Sequence, residues 1–303
     1  MGLAGLIVVL AWISVACFAP LLADGNQLSE SYAANHHQPQ MLEPSWLLSD
    51  QDKQRLEDQQ GGISDKNRTD YLSITTWQYP LGTDDAGRSM WALLVYGSRI
   101  SFLVAFAASF VTIALGSGLG ITAGYFGGTT DAVLSRIIEA FLILPWISLA
   151  VVLASIMGRG LFNIIMVIAI TSWASTSRLV RSQTLTVKTR LYVERARALG
   201  ARDLRIVKGH ILPNLFPIIF ADLTLTIAYS VAAEALLSFL GLGDPKSVSW
   251  GSILDGAQNS GATLLGAWWY VLAPGICVTT LILGISMCGF AIEEIVNPRL
   301  RQR

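Results

Sequence analysis

"YVERARALGARDLRIVKGHILPN", residues 192–214, is the stretch on which the reading of this chain turns. Its surroundings are oily, yet it is dense in arginine, interrupted by Gly200 and nearly closed by Pro213. Residues 192–199 are mostly good helix formers, and Gly200 is the residue type that commonly ends a helix. Asp203 suits the cap of a second short helix over 204–211. Pro213 needs no amide proton at the start of a following helix. The expectation is two short helices bent at a glycine, with Val193, Ala196 and Gly200 as a strip of small residues. Such a basic segment can lie on anionic lipid or dock into a protein cleft. A helix lying on lipid buries bulky Leu, Phe or Trp, so the small strip favours the cleft.

Outward from that segment, the 303 residues are 52% hydrophobic and only 14% charged, with a mean hydropathy of +0.52. Soluble domains carry about a quarter charged residues, so the balance is that of a bilayer protein. The net charge of zero gives no support for nucleic acid as a partner. Cys17, Cys277 and Cys288 lie in apolar runs with neither a disulfide framework nor metal spacing, and read as small core-filling residues.

Charge-free runs mark candidate crossings. Residues 2–22 lack the basic start of a signal peptide and are long enough to span, so an uncleaved first helix is expected. Further spans are read at 100–130, 140–158, 160–177, 214–233 and 267–290, with a polar break at 131–139. Six helices and no strand signal make this an all-α polytopic membrane bundle. Gly116, Gly120 and Gly124 share one face of the second span, a spacing that lets two helix backbones approach closely; a moving seam and static packing both fit it.

The charges are segregated. Residues 178–208 hold nine Lys/Arg against two acids, whereas 24–97 hold eleven acids against five bases. Basic loops stay in the cytoplasm, which predicts both termini and residues 192–214 inside and the acidic segment outside. The expected layout is a first transmembrane helix at 1–22, an extracytoplasmic loop or small domain at 23–97 ending in an interfacial helix, and a core at 98–293. That core includes a cytoplasmic loop at 183–213 and an outer loop at 235–266; a cytoplasmic tail follows at 294–303. His36 and His37 read as plain loop rather than metal ligands, because no ligand spacing supports them. Asn67-Arg68-Thr69 fits a glycosylation acceptor, a pattern too frequent by chance to use.

Glu194, Ala196, Gly200 and His210-Ile211-Leu212-Pro213, at their spacings, resemble the EAA loop of ABC-importer permeases. Arg195 stands where the consensus has alanine and His210 where it has isoleucine. "HILPN" is the form typical of the oligopeptide, dipeptide and nickel branch. "LGTDDAGRSMWALLVYGSRISF" (81–102), "EALLSFLGLGDPKSVSWGSIL" (234–254) and "NPRLR" (297–301) resemble that branch as well, and the C-type of its two paired permeases best. The Gly-Asp-x-Leu-Arg-Asp form upstream of the tail is missing, and "GFAIEEIVNPRLR" stands instead. The resemblance covers 79–303 and leaves 24–78 outside.

That resemblance implies a type I importer fold in the prokaryotic cell membrane. It implies three kinds of partner besides lipid: a second homologous permease, two cytoplasmic ABC ATPase subunits and an extracytoplasmic substrate-binding protein. Glu194, Arg195, Ala196, Gly200 and His210 would contact an ATPase, with Leu212 and Pro213 fixing the exit into the fifth span. ATP and Mg would be bound by the ATPases, with no cofactor and no catalysis in this chain. The residues agree on one point, since the chain has no GxxxxGK[ST], H-E-x-x-H or G-x-S-x-G motif. Peptides are the expected cargo; nickel or another small solute is the alternative within the class. A non-transporting membrane receptor or scaffold is the alternative outside it.

Asp222 lies about 12 Å into the fifth span at 1.5 Å per residue. An ionised carboxylate there costs about 2.5–3.5 kcal/mol on insertion scales, so it should face a cavity or a partner. Lining the cargo pathway and touching the sister permease both satisfy that demand. Glu234 is expected near the outer end, where a charge is cheaper to hold. Arg136 and Glu139, three apart, read as a structural pair.

Overall fold

The computed structural model describes residues 2–30, 40–47 and 79–296. His36, His37, Asn67 and the NPRLR tail therefore lie outside the described residues, as does most of 24–78. The main helices are α1 (Gly2–Cys17), α2 (Met90–Phe126), α3 (Gly128–Ile143), α4 (Trp146–Met157), α5 (Leu161–Lys188), α6 (Leu191–Ala198), α7 (Asp203–Ile206), α8 (Leu212–Leu237), α9 (Trp250–Asn259) and α10 (Trp268–Val296), with one further turn of helix at Ala19–Leu22. No strand is present among the described residues.

The expected six crossings are not all long unbroken helices. Four helical stretches are long and apolar enough to cross a bilayer, five if α3 and α4 count as one, and α1 is a shorter apolar helix. The stretch read as a polar break at 131–139 is helical, inside α3. The expected third span at 140–158 is broken instead, because α3 and α4 meet at 94°. The break falls at Leu144-Pro145: proline cannot continue a helix, and it pushes the residue before it into the extended region, where Leu144 has ψ 133°.

Helix ends also outrun the charge-free runs. Helix α2 starts at Met90 rather than 100, so the expected interfacial helix is its first turns, capped by the Ser89 hydroxyl. Helix α5 runs on to Lys188. The fifth span is one helical path from Asp203 through the π-turn at Val207–Ile211, and it ends in a kink at Gly241, where φ is +74°. Charge marks where lipid ends, whereas a helix continues until its backbone is interrupted.

Three small-residue seams bring the helices together. A Cβ on Gly116 would sit 2.7 Å from Thr176 Cβ, one on Gly120 2.6 Å from the Ser177 carbonyl oxygen, and one on Gly124 2.7 Å from Thr184 Cβ. The glycine face of α2 is thus the packing surface for α5. Gly5 and Gly284 play the same part between α1 and α10, where a Cβ on Gly5 would meet the Gly284 carbonyl oxygen at 2.6 Å. Trp12 of α1 donates its indole N–H to Thr280 at 3.2 Å and packs edge-on against Trp250 at 4.9 Å. A Cβ on Gly289 would touch Leu225 and Thr224, placing α10 against α8. Of the cysteines, Cys277 is buried and Cys288 half-buried, but Cys17 is exposed and fills no core.

These contacts set the ends of the bundle. Tyr270 at the start of α10 meets Asp85, just before α2, and Tyr125 at the end of α2 meets Asp203. Helices α2 and α10 are therefore parallel, and α1 is antiparallel to α10, with Gly2 against Ala291. The start of α1, the end of α10 and the arginine segment share one end of the molecule.

Candidate functional site

At that end, α6 closes in the bend predicted at Gly200. Gly200 has φ +80°; its N–H donates to the Arg197 carbonyl at 3.0 Å, and the Ala201 N–H to that of Ala196 at 3.1 Å. This paired arrangement satisfies carbonyls left free at a helix end and requires a left-handed residue. A Cβ on Gly200 would meet nothing within 4 Å, so glycine is needed for its backbone and not for space.

The second helix is organised differently from expectation. Asp203 is not a cap: Arg202 holds that position, and the Asp203 carboxylate accepts the Tyr125 hydroxyl at 2.6 Å. The helix it begins does not stop before the span but runs on into α8 through the π-turn. Val193, Ile206, Ile211 and Leu215 are buried against Ile121, Tyr125, Val180 and Val187 of α2 and α5. Lys188 ties the same corner by donating to the Gly124 carbonyl at 2.8 Å. The bent pair is therefore clamped to the bundle as one piece.

The expected small-residue strip is not the outward surface, because Val193 is buried and Ala196 half-buried. Leucines project instead, with Leu199 88%, Leu191 70% and Leu204 65% exposed. Glu194, Arg195 and Gly200 are exposed beside them. His210 is half-buried, its ring 6.0 Å from that of Tyr192. Leu212 and Pro213 are exposed at the start of α8. Exposed leucines ringed by arginines form an amphipathic knob, the kind of surface that fits a groove in another protein.

A polar wall runs away from the knob. On α5, Thr171, Ser175, Arg178, Ser182 and Thr186 recur at helical spacing on one face; the last four are exposed and Thr171 is half-buried. On α8, Ile218, Asp222, Leu225, Tyr229, Ala232 and Leu236 form the matching incompletely buried stripe. Beside the α5 stripe, the buried Thr176 donates its hydroxyl to Asp222 Oδ2 at 2.7 Å and ties the two helices together. The α5 stripe went unread in the sequence, although its spacing of four, three, four and four was there to be found.

The comparisons with known proteins bear on this arrangement. Residues 116–302 match the family described as "Binding-protein-dependent transport system inner membrane component". The chain belongs to that family. Among its relatives, a putative peptide transport system permease of Brucella suis biovar 1 is 34% identical over 225 residues, 74% of this chain and 75% of the relative. A dipeptide transport system permease of Bacillus subtilis is 34% identical, covering 73% and 69%. Another of that name, from Alkalihalophilus pseudofirmus, is 32% identical and covers 99% of this chain and 86% of the relative. A chain of the MetNI methionine ABC transporter, solved in inward facing conformations, superposes with a TM-score of 0.56 at 23% identity, covering 69% of this chain and 97% of that one. That last likeness is one of fold, the type I importer permease fold.

The blocks at 81–102 and 234–254, which also resembled the permease family, form the opposite end. In "GTDDAGR", Asp84 is fully buried and accepts the Ala86 N–H at 3.0 Å, the Arg88 N–H at 2.7 Å and the Arg88 Nε at 2.6 Å. Burial pushes its carboxyl above the ordinary value, against the opposing pull of Arg88. Tyr270 donates its hydroxyl to Asp85 at 2.8 Å, fastening α10 to this loop.

Glu234 lies toward this end but is buried, at 1% exposed. Its carboxylate accepts the Ser238 hydroxyl at 2.8 Å and that of Ser101 at 3.1 Å, and Ser101 in turn accepts the Trp250 N–H at 3.3 Å. The Trp250 indole donates to the Leu94 carbonyl at 2.9 Å. A Cβ on Gly251 would lie 2.6 Å from the Ala235 carbonyl oxygen, so the backbones of α8 and α9 touch there. The "SWG" triplet is thus a cap, a wedge and a contact point: Ser249 and Ser252 form the reciprocal cap of α9. Arg136 and Glu139 pair on the surface of α3 at 3.1 Å, as expected.

Proposed function

We propose that this chain is a permease subunit of an ATP-binding-cassette importer that takes up oligopeptides or dipeptides, forming half of the translocation pathway. It acts with a second homologous permease, two ATPase subunits and an extracytoplasmic substrate-binding protein. The knob at residues 191–204 carries this reading. It is apolar and basic, clamped to α2 and α5, and continuous with the fifth span, so a push on it moves α8 as a body. With that knob and both termini in the cytoplasm, the ATPases supply the motion and bind ATP and Mg; this chain performs no catalysis. Glu194, Arg195, Ala196, Gly200 and His210 belong to the coupling surface, and Leu212-Pro213 leads it into α8. The peptide permeases among the relatives support the choice of cargo.

Purification of the tagged chain from its native membrane tests the assembly. It should bring down a second permease of similar size together with ATPase subunits. A tagged chain that copurifies with no ATPase sinks the proposal.

A further inference from the structure

Asp222 is held by Thr176 through one carboxylate oxygen, and among the described residues no Lys, Arg or His lies within ion-pair distance of it. An intramembrane carboxylate needs more than one hydroxyl to replace water. The exposed face of α5, the helix that carries Thr176, has a bias that the residue names do not reveal. Thr171 donates its hydroxyl proton to the Val167 carbonyl at 2.9 Å, Ser175 to that of Ser172 at 2.9 Å, Ser182 to that of Leu179 at 2.8 Å and Thr186 to that of Ser182 at 3.2 Å. A hydroxyl has one proton and two lone pairs. With every proton turned back onto its own helix, these groups offer only acceptors to whatever passes.

We infer that Asp222 is a subsite for hydrogen-bond donors in the cargo, and for an ammonium group in particular. The inference rests on the peptide reading above for the source of that ammonium, the free amino end of a peptide. A carboxylate attracts N–H donors and repels anions. Arg178, exposed on the same α5 face, is the cation at hand for a carboxylate farther along the cargo.

The test uses the complete complex, with its ATPases and binding protein, in proteoliposomes, following the initial rate of radiolabelled dialanine uptake at saturating loaded binding protein. Asp222→Asn should lower that rate about tenfold or more, the weight of one hydrogen bond to a charged group. Asp222→Glu should restore most of it, and both variants should retain the second permease. Uptake unchanged in the Asn variant overturns the subsite. So does loss of the second permease in both variants, which would make Asp222 an assembly contact. A wild-type complex that carries neither dialanine nor longer alanine peptides fails the peptide reading alone, and the variants are then assayed with the solute it does carry. The same dependence for a cationic solute supports the subsite, whereas a complex carrying only anions overturns it.

Discussion

Gly120 and Glu234 show how much individual side chains decide in a bundle with few charges. In lipid, helices associate through close packing, so one methyl group at a backbone contact is felt in full. Gly120→Val would force a branched side chain against the Ser177 carbonyl and the Val180 side chain. We expect a loss of about 1–3 kcal/mol from overpacking, read as a lower melting temperature of the detergent-purified complex. Glu234→Leu removes the acceptor for the Ser101 and Ser238 hydroxyls, leaving buried donors without partners at about 1–3 kcal/mol each. Glu234→Gln keeps an acceptor oxygen and should recover part of that loss in the same melt. The glycine face was legible in the sequence because its period is strict. The setting of Glu234 was not, since its hydroxyl partners sit at Ser101, 133 residues away, and at Ser238, one turn on.

At the scale of the element, Gly200 is the most informative position. Its left-handed backbone is disfavoured for residues bearing a Cβ by about 1–2 kcal/mol, and the space around it is empty. Gly200→Asp should therefore leave the chain folded but shift the tilt of α6 against α7. The expected result is ATP hydrolysis that no longer tracks uptake, measured as ATP consumed per solute moved in proteoliposomes. Leu199→Glu places a charge on the apolar crest of the knob, at a side chain 88% exposed, and should weaken ATPase copurification without lowering the yield of the permease pair. The bend was readable from a glycine between two helix-forming runs. The continuity of α7 with α8 was not, because Pro213 reads as a start signal. It is tolerated there because the proline ring replaces only an amide at the first turn of α8, where a π-turn already shifts the hydrogen bonds.

The whole molecule places the knob, the start of α1 and the end of α10 at one end, and the Asp84 loop, Trp250 and Tyr270 at the other. Single cysteines at Leu199 and at Thr263, in a chain freed of its own three cysteines, should react with an impermeant maleimide from opposite sides of the membrane. Position 199 should be reached only from the cytoplasm; labelling of 199 from outside would reverse the orientation and remove the coupling role. Composition, the segregation of arginine from acid and the spaced motifs were enough, by themselves, to establish an all-helical membrane permease and to locate its bent basic segment. Those properties are local or statistical, and a linear reading captures them. Only the tertiary structure decided that α3 and α4 break the third crossing, that Val193 turns inward while leucines face out, and that Thr176 meets Asp222. Each depends on what lies across a helix interface, and the distance between neighbours in space is not written in their separation along the chain.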